Sequence, residues 1–185
     1  MENLIALNPD EASGKTKDLF NAVQQKLGMV PNMMRTMGNS AAVLEGYLNF
    51  SGALSTGKLG AKTGALIALT VAELNACNYC LSAHSFIGEK LVGLDKEMLT
   101  AAREGKNASP KIQAALDFAT VLVTKKGGVS IHDIQAVKAA GYNDGEVGEI
   151  IGQVALNIFT NYLNKAANTQ IDFPEVHAYA EVASV

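Results

Sequence analysis

The chain of 185 residues has no tryptophan, two cysteines and four prolines, and only 18% of it is charged. Aromatic residues make up 6%, and no segment alternates apolar with polar side chains in the way a half-buried strand does. With few prolines there are few forced helix breaks. No Gly-rich phosphate loop is present, so no nucleotide, flavin or haem cofactor is expected. The opening MENLIALNPDEASGK has neither a basic region nor a long apolar one, and the longest apolar run, around 65–72, is too short to span a bilayer. The expectation is a cytoplasmic protein that makes no use of a membrane. A net charge of −3 and a pI near 5.6 supply no basic surface for nucleic acid.

Apolar residues, by contrast, reach 48%, and the mean hydropathy is +0.12. This length can bury one sizeable core, and the apolar surplus points to surface covered by other subunits. Nearly every segment has helical periodicity, with Gly and Pro falling between helices. Helices are expected over 16–27, stopped by Gly28, then over 40–53, 59–74, 77–92, 95–103, 110–124, 130–139 and 143–165. A short turn is expected over 33–37 and an extended tail at Ile171-Asp172-Phe173-Pro174. Ser130 and Asp133 stand at a capping-box offset. With no linker, low-complexity tract or repeat, the expected fold is a single all-α domain over 1–185.

Both cysteines stand in Cys77-Asn78-Tyr79-Cys80-Leu81-Ser82-Ala83-His84, the core of a motif region at about 59–93. A thiol is nucleophilic as its thiolate, and a second thiol nearby can resolve an oxidised first one as a disulfide. In a reducing compartment such a pair points to catalysis, redox chemistry or metal rather than to a structural bridge. On an uninterrupted helix Glu73, Cys77, Cys80 and His84 would lie within roughly 60° of one another. A break at Asn75-Ala76 would instead make Asn75 a cap and put both cysteines in a helical first turn, where free N–H groups and the dipole favour a thiolate. Residues i and i+3 lie about 5–6 Å apart, within disulfide reach. A structural zinc site needs four ligands, whereas this cluster has two Cys and one His; His132 and His177 lie far along the chain and read as surface residues. Met29, Met33, Met34 and Met37 read as core or subunit packing, or as the mouth of an apolar site.

Several blocks together resemble one family. They are Gly28-Met29-Val30-Pro31-Asn32, Leu66-Ile67-Ala68-Leu69 leading into Asn75-Ala76-Cys77-Asn78-Tyr79-Cys80 and Ala83-His84, Ala140-Gly141-Tyr142, and Phe159-Thr160-Asn161 with Asp172-Phe173-Pro174. The chain resembles the alkylhydroperoxidase D-like branch of the carboxymuconolactone decarboxylase family. The resemblance implies an all-α fold assembled as a homo-oligomer, a trimer or hexamer, and thiol-dependent reduction of organic hydroperoxides by a dithiol reductant. It implies Cys80 as the cysteine that becomes a sulfenic acid, Cys77 as proton donor and resolving thiol, and His84 as part of the proton relay. Two positions depart from the family pattern: Ala65 stands where a relay glutamate is expected, and Tyr79 where a histidine is. Glu73, the nearest carboxylate, is the candidate replacement. Decarboxylation of a carboxymuconolactone-like substrate and non-catalytic redox sensing are the alternatives.

Overall fold

Local sequence signals set most of the helix ends in the computed structural model, which describes residues 2–179. The order is α1 Gly14–Leu27, α2 Asn32–Met37, α3 Ala41–Ser55, α4 Gly60–Leu74, α5 Asn78–Ile87, a π-helical turn Gly88–Val92, α6 Lys96–Arg103, α7 Pro110–Thr124, α8 Ile131–Ala139 and α9 Asp144–Ala167. No strand occurs among the described residues. Gly28 and Gly93 end their helices in the left-handed region, at φ 76° and 75°. The Ser130–Asp133 capping box forms, and a second one joins Asn143 to Glu146.

Two segments differ from expectation. The turn at 33–37 is a six-residue helix, α2, whose Met33, Met34 and Met37 are buried, so tertiary packing holds a helix too short to be stable alone. The helix over 77–92 does not stay regular: after Ile87 the hydrogen bonding widens to a π turn that closes with Leu94 N donating to Gly88 O.

Helix α4 occupies the centre and packs against α5, α6, α7 and α9. It buries Thr63, Gly64 and every residue from Leu66 to Ala72, the pattern of a helix apolar all round. Its entry is capped from α9, where the Glu149 carboxylate accepts from Lys58 N at 3.0 Å and Leu59 N at 2.7 Å. Leu66, Ile67, Leu69, Leu81, Leu116 and Ile150 are fully enclosed in the core between these helices. Past α9 the tail returns over α5 and α2 without helix or strand over 169–178. Asp172 Oδ2 accepts from Asn32 N, Ser82 Oγ from Val176 N and Asn78 Oδ1 from Ala178 N, at 2.8, 2.9 and 2.9 Å. No helix among the described residues is long and apolar enough to cross a membrane.

Candidate active site

The two cysteines owe their relation to a break between α4 and α5. Ala76 adopts φ 47°, which a non-glycine residue rarely does, and the backbone turns before Cys77. The helix is therefore interrupted, but the cap of α5 is Cys77 rather than the expected Asn75. Cys77 is extended at φ −102° and ψ 92°, and its Sγ accepts from Cys80 N at 3.4 Å. Cys80 thus sits in the first turn of α5, with the positive end of the helix dipole behind it. Both thiols are free and buried.

Helix α9 closes over the second thiol with side chains of a kind the cysteine motif does not announce. Asn164 Nδ2 donates to Cys80 Sγ at 3.3 Å. Asn161 Oδ1 accepts from Asn75 Nδ2 at 2.9 Å, which ties the inter-helix break to α9. Burial, the largest influence, opposes ionisation of Cys80, but Cys77, Asn164, Asn161 and Thr160 together outweigh it and hold the thiol below its ordinary pKa. Cys77 goes the other way: its contact with Cys80, and then burial, raise its pKa and keep it protonated. The two thiols are thus shifted in opposite directions.

His84 follows Cys80 by one turn and shares a cavity with it. Part of its surface opens to that cavity, yet protein encloses it closely enough for lost hydration to lower its pKa to about 4, against a smaller opposing effect of Asn157. The imidazole is therefore neutral at pH 7. Tyr79 Oη accepts from Met33 N at 3.0 Å, its ring stands edge-on to Phe173 at 5.9 Å, and burial raises its pKa. It is a structural post rather than a base.

Glu73 is held elsewhere. Its Oε2 accepts from Arg103 Nε at 2.7 Å and its Oε1 from Tyr179 N at 2.6 Å, and it does not line the cavity. The break at Ala76 removes it from the stripe it would share with Cys77, Cys80 and His84 on a continuous helix. His132 and His177 are exposed, as expected. No group of three or more His, Cys, Asp or Glu side chains among the described residues is arranged to hold a metal.

The cavity has a volume of about 400 Å³ and is walled mainly by apolar side chains. Cys80, His84, Asn157 and Thr160 supply polar groups at one wall, Tyr47 and Gln153 at others. No Asp, Glu, Lys or Arg lines it. Met29, Met33 and Met34 do, while Met33 and Met34 are also packed in the core with Met37, the core-packing reading of the methionine cluster. The Tyr47 hydroxyl has its pKa pushed up to about 12, mainly by burial and against a pull from Ser51, so it remains a neutral donor.

Residues 41–121, from α3 to α7 and including both cysteines and His84, match the model of the carboxymuconolactone decarboxylase family. Over this stretch the chain is similar to that family. The whole chain is similar in fold to an uncharacterized peroxidase-related protein from Ralstonia eutropha JMP134 described as an alkylhydroperoxidase AhpD core, with TM-score 0.83, 19% identity and 92% of each chain covered. A peroxidase-related protein from Silicibacter sp. TM1040 superposes with TM-score 0.79 at 23% identity, covering 91% of this chain and 92% of that one. The debrominase Bmp8 gives TM-score 0.77 at 22% identity over 92% of each chain, and a cysteine-to-alanine variant of it is known in complex with 2,3,4-tribromopyrrole. No curated protein sequence matches the chain significantly. The fold is thus the alkylhydroperoxidase D-like one.

Ala65 lines the cavity that holds Cys80 and His84. The position at which the family resemblance leads one to expect a relay glutamate therefore faces the cavity and carries a methyl group. The residues to which sequence reasoning gave no site role are those of α9, Asn157, Thr160, Asn161 and Asn164, all buried; Thr160 and Asn161 figured there only within a block of the family resemblance. Their spacing of i, i+3, i+4 and i+7 is that of a core-facing stripe, and polar residues in such a stripe are the signal that would have found them.

Proposed function

We propose that the chain is a thiol peroxidase that reduces organic hydroperoxides through a Cys80–Cys77 dithiol–disulfide cycle. The observation that carries this reading is a pair of free, buried thiols in contact at the start of α5, with Cys80 Sγ accepting from Asn164 Nδ2 and opening on an uncharged cavity. The Cys80 thiolate attacks the outer peroxide oxygen; the S–O bond forms, the O–O bond breaks and the alkoxide leaves. Cys77, still protonated, supplies the alkoxide's proton and becomes the thiolate that attacks Cys80 sulfur, which forms the disulfide and expels hydroxide. His84, with a pKa of about 4, passes a proton on as soon as it receives one, which suits relay from solvent to that hydroxide. A dithiol reductant then restores both thiols.

An uncharged cavity of about 400 Å³ suits a neutral molecule with an apolar body and offers no cation for the carboxylate of a carboxymuconolactone. That weighs against the decarboxylase alternative. The same feature, together with the fold shared with a debrominase, favours one second reading: thiol-driven reductive dehalogenation of a small neutral aromatic.

The test is the intact mass and thiol count of reduced protein after one equivalent of cumene hydroperoxide, followed by turnover with dithiothreitol. Rapid loss of two thiols with no added oxygen, catalytic turnover, and abolition of both by Cys80→Ser are expected. Two persisting thiols would reject the reading. Bromide release from 2,3,4-tribromopyrrole would transfer it to dehalogenation, and oxidation without turnover to redox sensing.

A further inference from the structure

Four buried side-chain polar atoms among the described residues have no hydrogen-bond partner, and two of them belong to the pair of asparagines beside Cys80. One is Asn161 Nδ2, a donor; the other is Asn164 Oδ1, an acceptor. These two residues are 0% and 3% exposed, so bulk solvent does not reach them. A buried polar group without a partner costs stability, and two at one site call for a specific reason.

The rest of each amide is already fixed. Asn161 is anchored through Oδ1 by Asn75 Nδ2; its Nδ2 makes no hydrogen bond of its own but lies near enough to Cys80 to favour the ionised thiol. Asn164 is anchored through Nδ2 on Cys80 Sγ, and the Oδ1 of the same amide is unpaired. The two amides packed about Cys80 therefore carry one unpaired donor and one unpaired acceptor. Neither residue lines the cavity, whereas Cys80 does. The sulfur lies between a substrate side and an amide side.

We propose that Asn161 Nδ2 and Asn164 Oδ1 form a receptor for the oxygen atom that Cys80 takes from a peroxide, and so hold its sulfenic acid until Cys77 resolves it. The proposal rests on the peroxidase reading above. A sulfenic acid adds one hydroxyl to sulfur, and that hydroxyl both accepts and donates one hydrogen bond, the complement of the two unpaired atoms. In the forming step two electrons pass from sulfur to the peroxide, the S–O bond forms, the O–O bond breaks and the alkoxide leaves with the proton of Cys77. Rotation about the Cβ–Sγ bond then swings the S–O bond from the cavity to the amides. The oxygen leaves the substrate space, and hydrogen bonds hold its hydroxyl on the side away from a second peroxide.

The experiment uses the Cys77→Ser protein, in which the sulfenic acid cannot be resolved. It is treated with one equivalent of cumene hydroperoxide, and the single added oxygen is followed by intact mass and by capture with dimedone. In the Asn161→Leu version of that protein the lifetime of the sulfenic acid should fall about tenfold, with more sulfinic acid formed under excess peroxide. Asn161→Ala, which only removes atoms, serves if the leucine variant does not fold. Lifetime is read after oxidation is complete, so a change in the rate of thiolate formation does not enter. Oxygen uptake with equal lifetimes would overturn this proposal alone. Persistence of both thiols in the unsubstituted protein treated with the same peroxide would overturn the peroxidase reading and the receptor with it.

Discussion

At the scale of the residue, identity counts for less than what each side chain is tied to. Glu73 resembles a relay carboxylate on a helical wheel but spends both oxygens on Arg103 and the tail. Both partners of that ion pair are close to nine-tenths covered, at 12% and 11% side-chain exposure, so it counts for more than an exposed pair. Glu73→Gln should lower stability by about 1–2 kcal/mol, read as a lower urea midpoint, and leave the pH dependence of peroxide consumption in place. A displaced pH profile would return Glu73 to the relay. Tyr79 makes the same point: its hydroxyl is occupied by Met33 N, and burial keeps it protonated. Asn164, which no motif includes, touches the reacting sulfur.

At the scale of the element, the site is a matter of where helices begin. Helix α5 starts at Cys77 because the left-handed Ala76 ends what precedes it, and α4 starts beneath a carboxylate from α9. Gly57 leaves room for that carboxylate, since a Cβ there would stand 2.6 Å from Glu149 Oε2. Gly57→Ala should therefore displace Glu149 and uncap α4 at a cost of about 1–2 kcal/mol, seen as a fall in Tm of about 2–8 °C. An unchanged Tm would mean that the cap carries no weight. The tail acts as an element in its own right, because Phe173 both braces Tyr79 and lines the cavity.

At the scale of the molecule, enclosure of the site links folding to pH through His84. Its pKa is 6.5 as an ordinary histidine and about 4 when folded, so between those values the unfolded chain binds the extra proton. The stability this contributes is fully present above pH 6.5 and is lost as the pH falls through 4, at most about 3 kcal/mol. His84→Gln should flatten the decline of the urea midpoint over that window; an equally steep decline would place the acid sensitivity elsewhere. A second whole-molecule feature is the apolar face where Val43 and Phe50 of α3 meet Phe159 of α9, all partly exposed. The homo-oligomer implied by the family resemblance has a candidate contact there, in keeping with the apolar surplus of the composition.

Helix periodicity, caps and stop signals are local, and for that reason the all-α class and most helix ends were legible in the chain, from Gly28 and Gly93 to the Ser130–Asp133 box. The Cys77–Cys80–His84 spacing is equally local, and the structure keeps these three on one helix, the cysteines at its start and His84 in its last turn. What the sequence left open depends on contacts between residues distant along the chain. Asn161 and Asn164 lie more than eighty positions from Cys80, and only the packing of α9 against α5 turns a polar stripe into partners of a sulfur. Glu73 was drawn to Arg103 and Tyr179 in the same way, since an ion pair goes to the charge that folding brings near. The helix α2, too short to persist alone, exists because the core buries its methionines. Local backbone preference thus determined the elements, and tertiary packing alone decided which groups could reach the thiol.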